Sequence, residues 1–264
     1  MIKALVAVGL CAAAVGATQS SIHIKVYDPR PVAAAVAEVE KHFGRVVTYE
    51  DTRYVHPSDI VDVTEQYSRD PDRSKRLLGM RSGAIEVEQV SRPIGVDAQI
   101  DELLAEVLAQ HTKAGNAGEF RIQPEAGVHH VVPVAFKGLS GAREGLTPLL
   151  DTPITFAKTE ETAYEMVVRI VAAVTAGTET KLGPGMFPTN LFLQRRVTAE
   201  ARNEPARDVL WRVLQSIRPD LSWKLFCDIG ESGSCALNIH IVKPNSGPRV
   251  PQPRFGEAGL ASSS

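Results

Sequence analysis

At 264 residues, with 44% of them hydrophobic and a formal charge of -2, the chain has apolar material for one or two ordinary cores. It has no basic surplus with which to hold a polyanion, so a nucleic-acid binder built on a basic surface is excluded. Met1 to Ala17 carries one cation (Lys3), an apolar run from Ala4 to Val15 and small side chains at Val15 and Ala17, which is the pattern of a signal peptide cleaved before Thr18. That run falls short of the roughly 20 apolar residues that span a bilayer, and no later segment reaches that length. The expectation is an exported, soluble chain, periplasmic or fully secreted, with no transmembrane span after cleavage. Cys11 follows the bulky Leu10 after too short an apolar run, so it reads poorly as a lipidation site.

Beyond the leader, Ser21 to Val26 alternates as a strand. Asp28 can cap the next helix, in which Val32, Val36, Val39 and Phe43 share a face until Gly44. Arg45 to Tyr49 is the following strand, Glu50-Asp51 with Arg53 reads as an acidic turn, and Ile60 to Val63 as another short strand. The charged stretch 65–83 predicts an exposed excursion. Strand character resumes over Ala84 to Val90, Asp97 is an N-cap candidate, and Ile100, Leu103, Leu104, Val107 and Leu108 form one apolar stripe. Phe120 to Gln123 and Val128 to Phe136 close this first unit, residues 21–137.

Residues 138–153 are a Gly- and Pro-broken connector, after which the order restarts as a second unit, 154–242. Ile154 to Phe156 is a strand, Thr159 or Thr162 caps, and Tyr164, Val167, Val168, Val171 and Val174 line a helix ending at Gly177. Lys181 to Pro188 reads as loop. Gln194 to Ala201 is a strand, Asn203 an N-cap, and Val209, Leu210, Val213, Leu214 and Ile217 an apolar face with Arg207, Asp208, Arg212 and Gln215 outside it. Pro219 ends the helix, and Leu221 to Ile229 and Ala236 to Val242 form a hairpin around Gly230 to Ser234. The Pro-, Gly- and Ser-rich stretch 243–264 predicts a disordered tail. The fold class expected is therefore α+β: two related β-α-β-β-α-β halves, with helices packed on short sheets, repeating at a little over a hundred residues.

Once the leader is removed, Cys227 and Cys235 flank the hairpin turn in an oxidising compartment. Their spacing predicts a structural disulfide rather than a redox CxxC pair.

The helix PVAAAVAEVEKHFG followed by RVVTYED, and later ARDVLWRVLQSI followed by a hairpin, resembles the secretin and TonB short N-terminal domain. That resemblance implies a periplasmic interaction and signalling module of two small β/α halves. In that family the module precedes an outer-membrane barrel or pore, for which this sequence has no segment. The implied protein is a stand-alone, duplicated envelope module that binds another protein.

Chemistry is sparse. His129 and His130 are adjacent on a strand and point to opposite faces, so one outward and one satisfied inward ring is expected rather than a metal pair. Glu86 and Glu88 share a strand face near the ~6.5 Å separation of a glycosidase acid and base, but Ile85 and Val87 alternate with them as in any half-buried strand. Gly138-Leu139-Ser140-Gly141-Ala142 departs from a nucleophile elbow by its missing final glycine. No phosphate-cradling or dinucleotide glycine pattern occurs, so no cofactor is expected. Trp211 stands one residue off its apolar face and, beside Arg212, is a candidate partner contact. The reading is an exported, non-catalytic interaction module. The alternative is a secreted hydrolase of unknown substrate, with Ser140, Glu86 or Glu88 as its reactive group.

Overall fold

The computed structural model describes residues 21–67, 76–90, 92, 94–125, 127–230 and 233–243. The expected signal peptide, Cys11, the core of the charged excursion and the tail beyond residue 243 lie outside the described residues.

The fold is mixed α+β and its two halves repeat one topology. The first half runs β1 (Ser21–Asp28), α1 (Pro31–Phe43), β2 (Val47–Glu50), β3 (Ile60–Asp62), α2 (Thr64–Tyr67), β4 (Leu78–Met80), β5 (Gly83–Val90), α3 (Val96–Lys113), β6 (Glu119–Glu125) and β7 (Val128–Lys137). A short strand β8 (Arg143–Gly145) inside the expected connector pairs back onto β7. The second half runs β9 (Pro153–Thr162), α4 (Ala163–Ala176), β10 (Leu182–Pro184), α5 (Thr189–Gln194), β11 (Arg196–Pro205), α6 (Ala206–Ile217), β12 (Leu221–Cys227) and β13 (Cys235–Ile241).

In each half the two strands that lead into helices form a separate antiparallel ribbon, β1 with β5 and β9 with β11. The other three strands form a sheet. β2 lies parallel to β7 and β7 antiparallel to β6, just as β10 lies parallel to β13 and β13 antiparallel to β12. The two sheets then merge, because β12 pairs in parallel with β2, giving the continuous order β10-β13-β12-β2-β7-β6.

Side-chain alternation shows how the layers are arranged. In the register of the joint, Lys224 lies beside Tyr49, and Leu225 beside Glu50. Tyr49 belongs to the core formed with α1, α3 and the β1–β5 ribbon, whereas Leu225 belongs to the core formed with α4, α6 and the β9–β11 ribbon. The helices of the first half therefore cover one face of the common sheet, and those of the second half the other.

Local chemistry sets the helix ends. Gly44 takes a left-handed conformation (φ 62°) and its N–H closes α1 onto the Glu40 carbonyl. Thr162, not Thr159, caps α4 in a reciprocal box with Glu165. The α4 stripe is buried through Met166, Val167, Ile170, Val171 and Val174, while the expected Tyr164 and Val168 stay half exposed. Asp97 sits within the first turn of α3, after Gly95. Asn203 is not a cap: it adopts φ 56° at a register shift within β11, and α6 starts only after Pro205. Lys181 to Pro188, expected to be loop, contains β10, whose Gly183-Pro184 hides the strand signal. Leu104 and Leu210 are fully buried, as their stripes require.

Candidate functional site

The polar chemistry of this chain concentrates at the joint between the halves. On the α6 side, β2 delivers Glu50 and α6 delivers Arg207, both about 1% exposed at their side chains. Arg207 donates from Nε and Nη2 to Glu50 Oε1 at 3.0 and 2.5 Å, and from Nη1 to Asp151 and to Gln123 at 3.4 Å. Glu50 Oε2 also accepts the Leu150 N–H at 3.2 Å. Burial opposes the Arg207 charge, but Glu50 and Asp151 outweigh it and hold its pKa above the usual value. Beside this triad His130 is fully buried, 2.7 Å from the Thr48 hydroxyl and packed against Trp223 and Trp211. Burial, aided by the Arg207 charge, pushes its pKa down to about 3, so the ring is neutral.

On the α1 side, the Asp51 carboxylate is wholly enclosed and saturated. It accepts from Arg30 Nε (2.6 Å), Tyr49 and Tyr54 hydroxyls (2.8 and 2.7 Å), and the Thr52 and Cys227 N–H groups (both 3.1 Å). Arg30 also donates to the Cys227 carbonyl (2.7 Å), which ties the last hairpin to the first half. Glu40 of α1 accepts from His240 at 2.8 Å, and Lys224 lies 3.9 Å away. Asp51 is fully engaged, and Glu50 and Glu40 each bond groups of the second half, so the three carboxylates are positioned to fix one half on the other.

This overturns the acidic-turn reading of Glu50-Asp51, of which only Arg53 stays exposed. It also corrects the placing of Arg207 outside the apolar face. Arg207 precedes Leu210, Trp211 and Leu214 by three, four and seven positions, so it lies on the buried stripe, and that spacing was the available signal. His129 and His130 do point to opposite faces, but neither is outward, because helices cover both faces. His129 is 6% exposed, with Nδ1 2.9 Å from the Asp101 carboxylate but off hydrogen-bond alignment.

Trp211, at 9% exposure, packs into the aromatic cluster and offers no surface anchor; Arg212 is exposed and bound to Glu204 at 2.7 Å. Cys227 and Cys235 form a disulfide across directly opposed positions of β12 and β13. Glu86 is engaged by Lys25 at 3.0 Å and His23 at 3.3 Å, which hold its carboxyl below the usual range and make it a poor proton donor. Ser140 accepts the Ala142 N–H within a turn. Sequence gave no hint of an exposed cluster at Ser58, whose hydroxyl lies 2.7 Å from His56 Nδ1, 3.1 Å from Lys137 Nζ and 3.0 Å from Asp59. Its geometry is that of a cap on the turn Pro57–Asp59, since His56 Nδ1 also accepts the Ser58 N–H. The cavity beside the disulfide, lined by Asp51, Arg53, Leu149 and Cys235 among others, measures about 50 Å³. That is far below the roughly 300 Å³ at which small-molecule sites begin.

The joint also defines the outer edges. Asp51 N–H donates to the Leu225 carbonyl at 3.0 Å, so Val47, Tyr49 and Asp51 aim their backbone groups at β12, and Thr48 and Glu50 aim theirs at β7. His129 and Val131 of β7 then face β2. Of their partners in β6, Ile122 directs its N–H and C=O away from the sheet and Pro124, which has no N–H, its C=O alone; Phe120, opposite Pro133, directs both groups outward. Among the described residues no strand pairs with that side of β6. The opposite end of the sheet is different. Cys235 N–H binds the Lys181 carbonyl and Gly185 N–H the Leu237 carbonyl, so the outward residues of β10 are Leu182 and Pro184. The Thr175 hydroxyl both accepts from Leu182 N–H and donates to its carbonyl, each at 3.1 Å, and Pro184 has no N–H.

No helix among the described residues is long and apolar enough to cross a membrane. No family model matches this chain, and neither a curated protein nor a solved structure matches it.

Proposed function

We propose that this chain is an exported, non-catalytic interaction module of a bacterial-type cell envelope, resembling two fused copies of the secretin and TonB short N-terminal domain, and that it binds a protein partner through the outer edge of β6. The observation that carries the reading is the mode of assembly inside the chain itself: one half recognises the other by adding strand β2 to the edge of β12, and among the described residues no strand pairs with the equivalent edge of β6. The exported setting is supported by the disulfide, by the leader-like Met1 to Ala17 and by the lack of a membrane-spanning helix among the described residues.

The test is a photo-crosslinking residue at Arg121 of β6, compared with one at Arg202 of the β9–β11 ribbon, in protein isolated from the envelope fraction. Capture of one defined protein from Arg121 alone is expected. Equal capture from both positions, or from neither, contradicts the reading. Covalent labelling of Ser58, Ser140, Glu86 or Glu88 by serine- or glycoside-directed probes would transfer the protein to the secreted-hydrolase alternative. N-terminal sequencing of the exported chain should begin near Thr18, and a retained Met1 would remove the export argument.

A further inference from the structure

The two halves are related by a definite operation. Because β12 and β2 run parallel while each lies on the opposite rim of its own three-stranded unit, the strand directions of one half are reversed in the other. The helices also change faces. Reversing strand direction and face while advancing along the sheet is a half-turn about an axis across the strands, combined with a translation. Such an operation does not close on itself. Applied again to the whole molecule, it brings the β10 edge of one copy against the β6 edge of the next, as β2 lies against β12 within the chain.

The β6 edge is equipped for this. In the matching registers Ile122 corresponds to Leu225 and Phe120 to Trp223, so β6 presents the backbone groups that β12 uses in the joint. The β10 edge is not. Leu182 and Pro184 correspond to Val47 and Tyr49, but Thr175 occupies both backbone groups of Leu182, and proline removes the N–H that Tyr49 supplies.

We infer that the molecule is one-ended: β6 receives, in parallel, the edge strand of a β-α-β module carried by a different protein, while Thr175 and Pro184 close β10 and stop copies of this chain from adding to one another. This rests on the proposed interaction role and specifies its partner: a module whose β2-like strand keeps the outward N–H groups that β10 lacks. A second copy of this chain is the wrong occupant because β10, the matching edge it would offer, is closed.

The experiment opens β10. The disulfide-bonded Thr175→Val/Pro184→Val chain should form head-to-tail oligomers whose sedimentation grows with concentration, while the native chain stays monomeric. Adding Ile122→Pro, which removes the outward N–H of β6, should return the opened variant to monomer. An opened variant that melts cooperatively with its disulfide intact and remains monomeric at millimolar concentration overturns the inference. So does a native chain that already self-associates, and so do opened-variant oligomers indifferent to Ile122→Pro. If the double variant does not fold, the native chain is titrated with a peptide spanning Gly44 to Thr52, a copy of the strand that β12 accepts, spin-labelled at its N-terminus. Broadening around Glu119 signifies parallel addition and is expected; broadening around Glu125, or none at millimolar peptide, overturns it. Specific capture from Arg121 alongside a monomeric opened variant removes only this inference and leaves the proposed function standing.

Discussion

Strands β2 and β10 hold the same place in the two halves, yet one is the buried middle of a six-strand path and the other is its end. All four residues of β2 are buried, and the carboxylates at its end meet the other half: Glu50 the Arg207 guanidinium, and Asp51, just beyond the strand, the Cys227 N–H. β10 is three residues long, Leu-Gly-Pro, and its outward groups are taken by a threonine of its own helix or are absent. An edge strand is thus committed to pairing or to isolation by a few residues, while the topology of its half stays the same.

The largest way to break the comparison is to remove the partner of β2. Arg207→Met leaves Glu50 enclosed without its counter-charge and should cost about 3–5 kcal/mol in urea unfolding. Replacing both, as Arg207→Met with Glu50→Gln, should recover a large part of that loss, since the enclosed charge is then gone. A loss unchanged in the double variant would mean that the pair is not the cause.

Acid should weaken the same joint. Folded His130 refuses a proton until about pH 3, whereas the unfolded ring takes one near 6.5. The unfolded state therefore binds more protons between these values, and stability falls as pH drops through that window, by up to about 1.4 kcal/mol per unit from this residue. Unfolding titrations at pH 7 and pH 4 should show a smaller difference in His130→Gln than in the parent.

Reducing the staple is next in size. Cys227→Ser should lower stability by about 2–3 kcal/mol, the freedom lost by the unfolded chain on closing so short a loop, measured as a drop in Tm. At β10, Thr175→Val should cost only about 1 kcal/mol, one hydroxyl bridging Leu182, and its main effect should fall on association rather than on unfolding. A Thr175→Val chain as unstable as Arg207→Met would erase the contrast between the two edges.

Much of this fold was legible locally. The stripes through Leu104 and Leu210, a threonine cap for α4 narrowed to Thr159 or Thr162, and the cysteines flanking a Gly/Ser turn are each complete within a few neighbouring residues. The joint was not, because its meaning lies in pairs far apart in the chain: Arg207 and Glu50 are 157 positions apart, and each alone has the character of a solvated charge. The His129–His130 alternation predicted opposite faces correctly but could not reveal that helices from different halves cover both. β10 was hidden because its Gly183 and Pro184 are residues that mark loops, and Thr175, which closes its edge together with Pro184, lies on a different element.

Amide hydrogen exchange at two matching positions separates the paired edge of β12 from the open edge of β6. Leu225 N–H faces β2 and should be strongly protected, whereas Ile122 N–H faces away from the sheet and should exchange orders of magnitude faster in the isolated native chain. Comparable protection at Ile122 and Leu225 would contradict the account, because β6 would then already be paired.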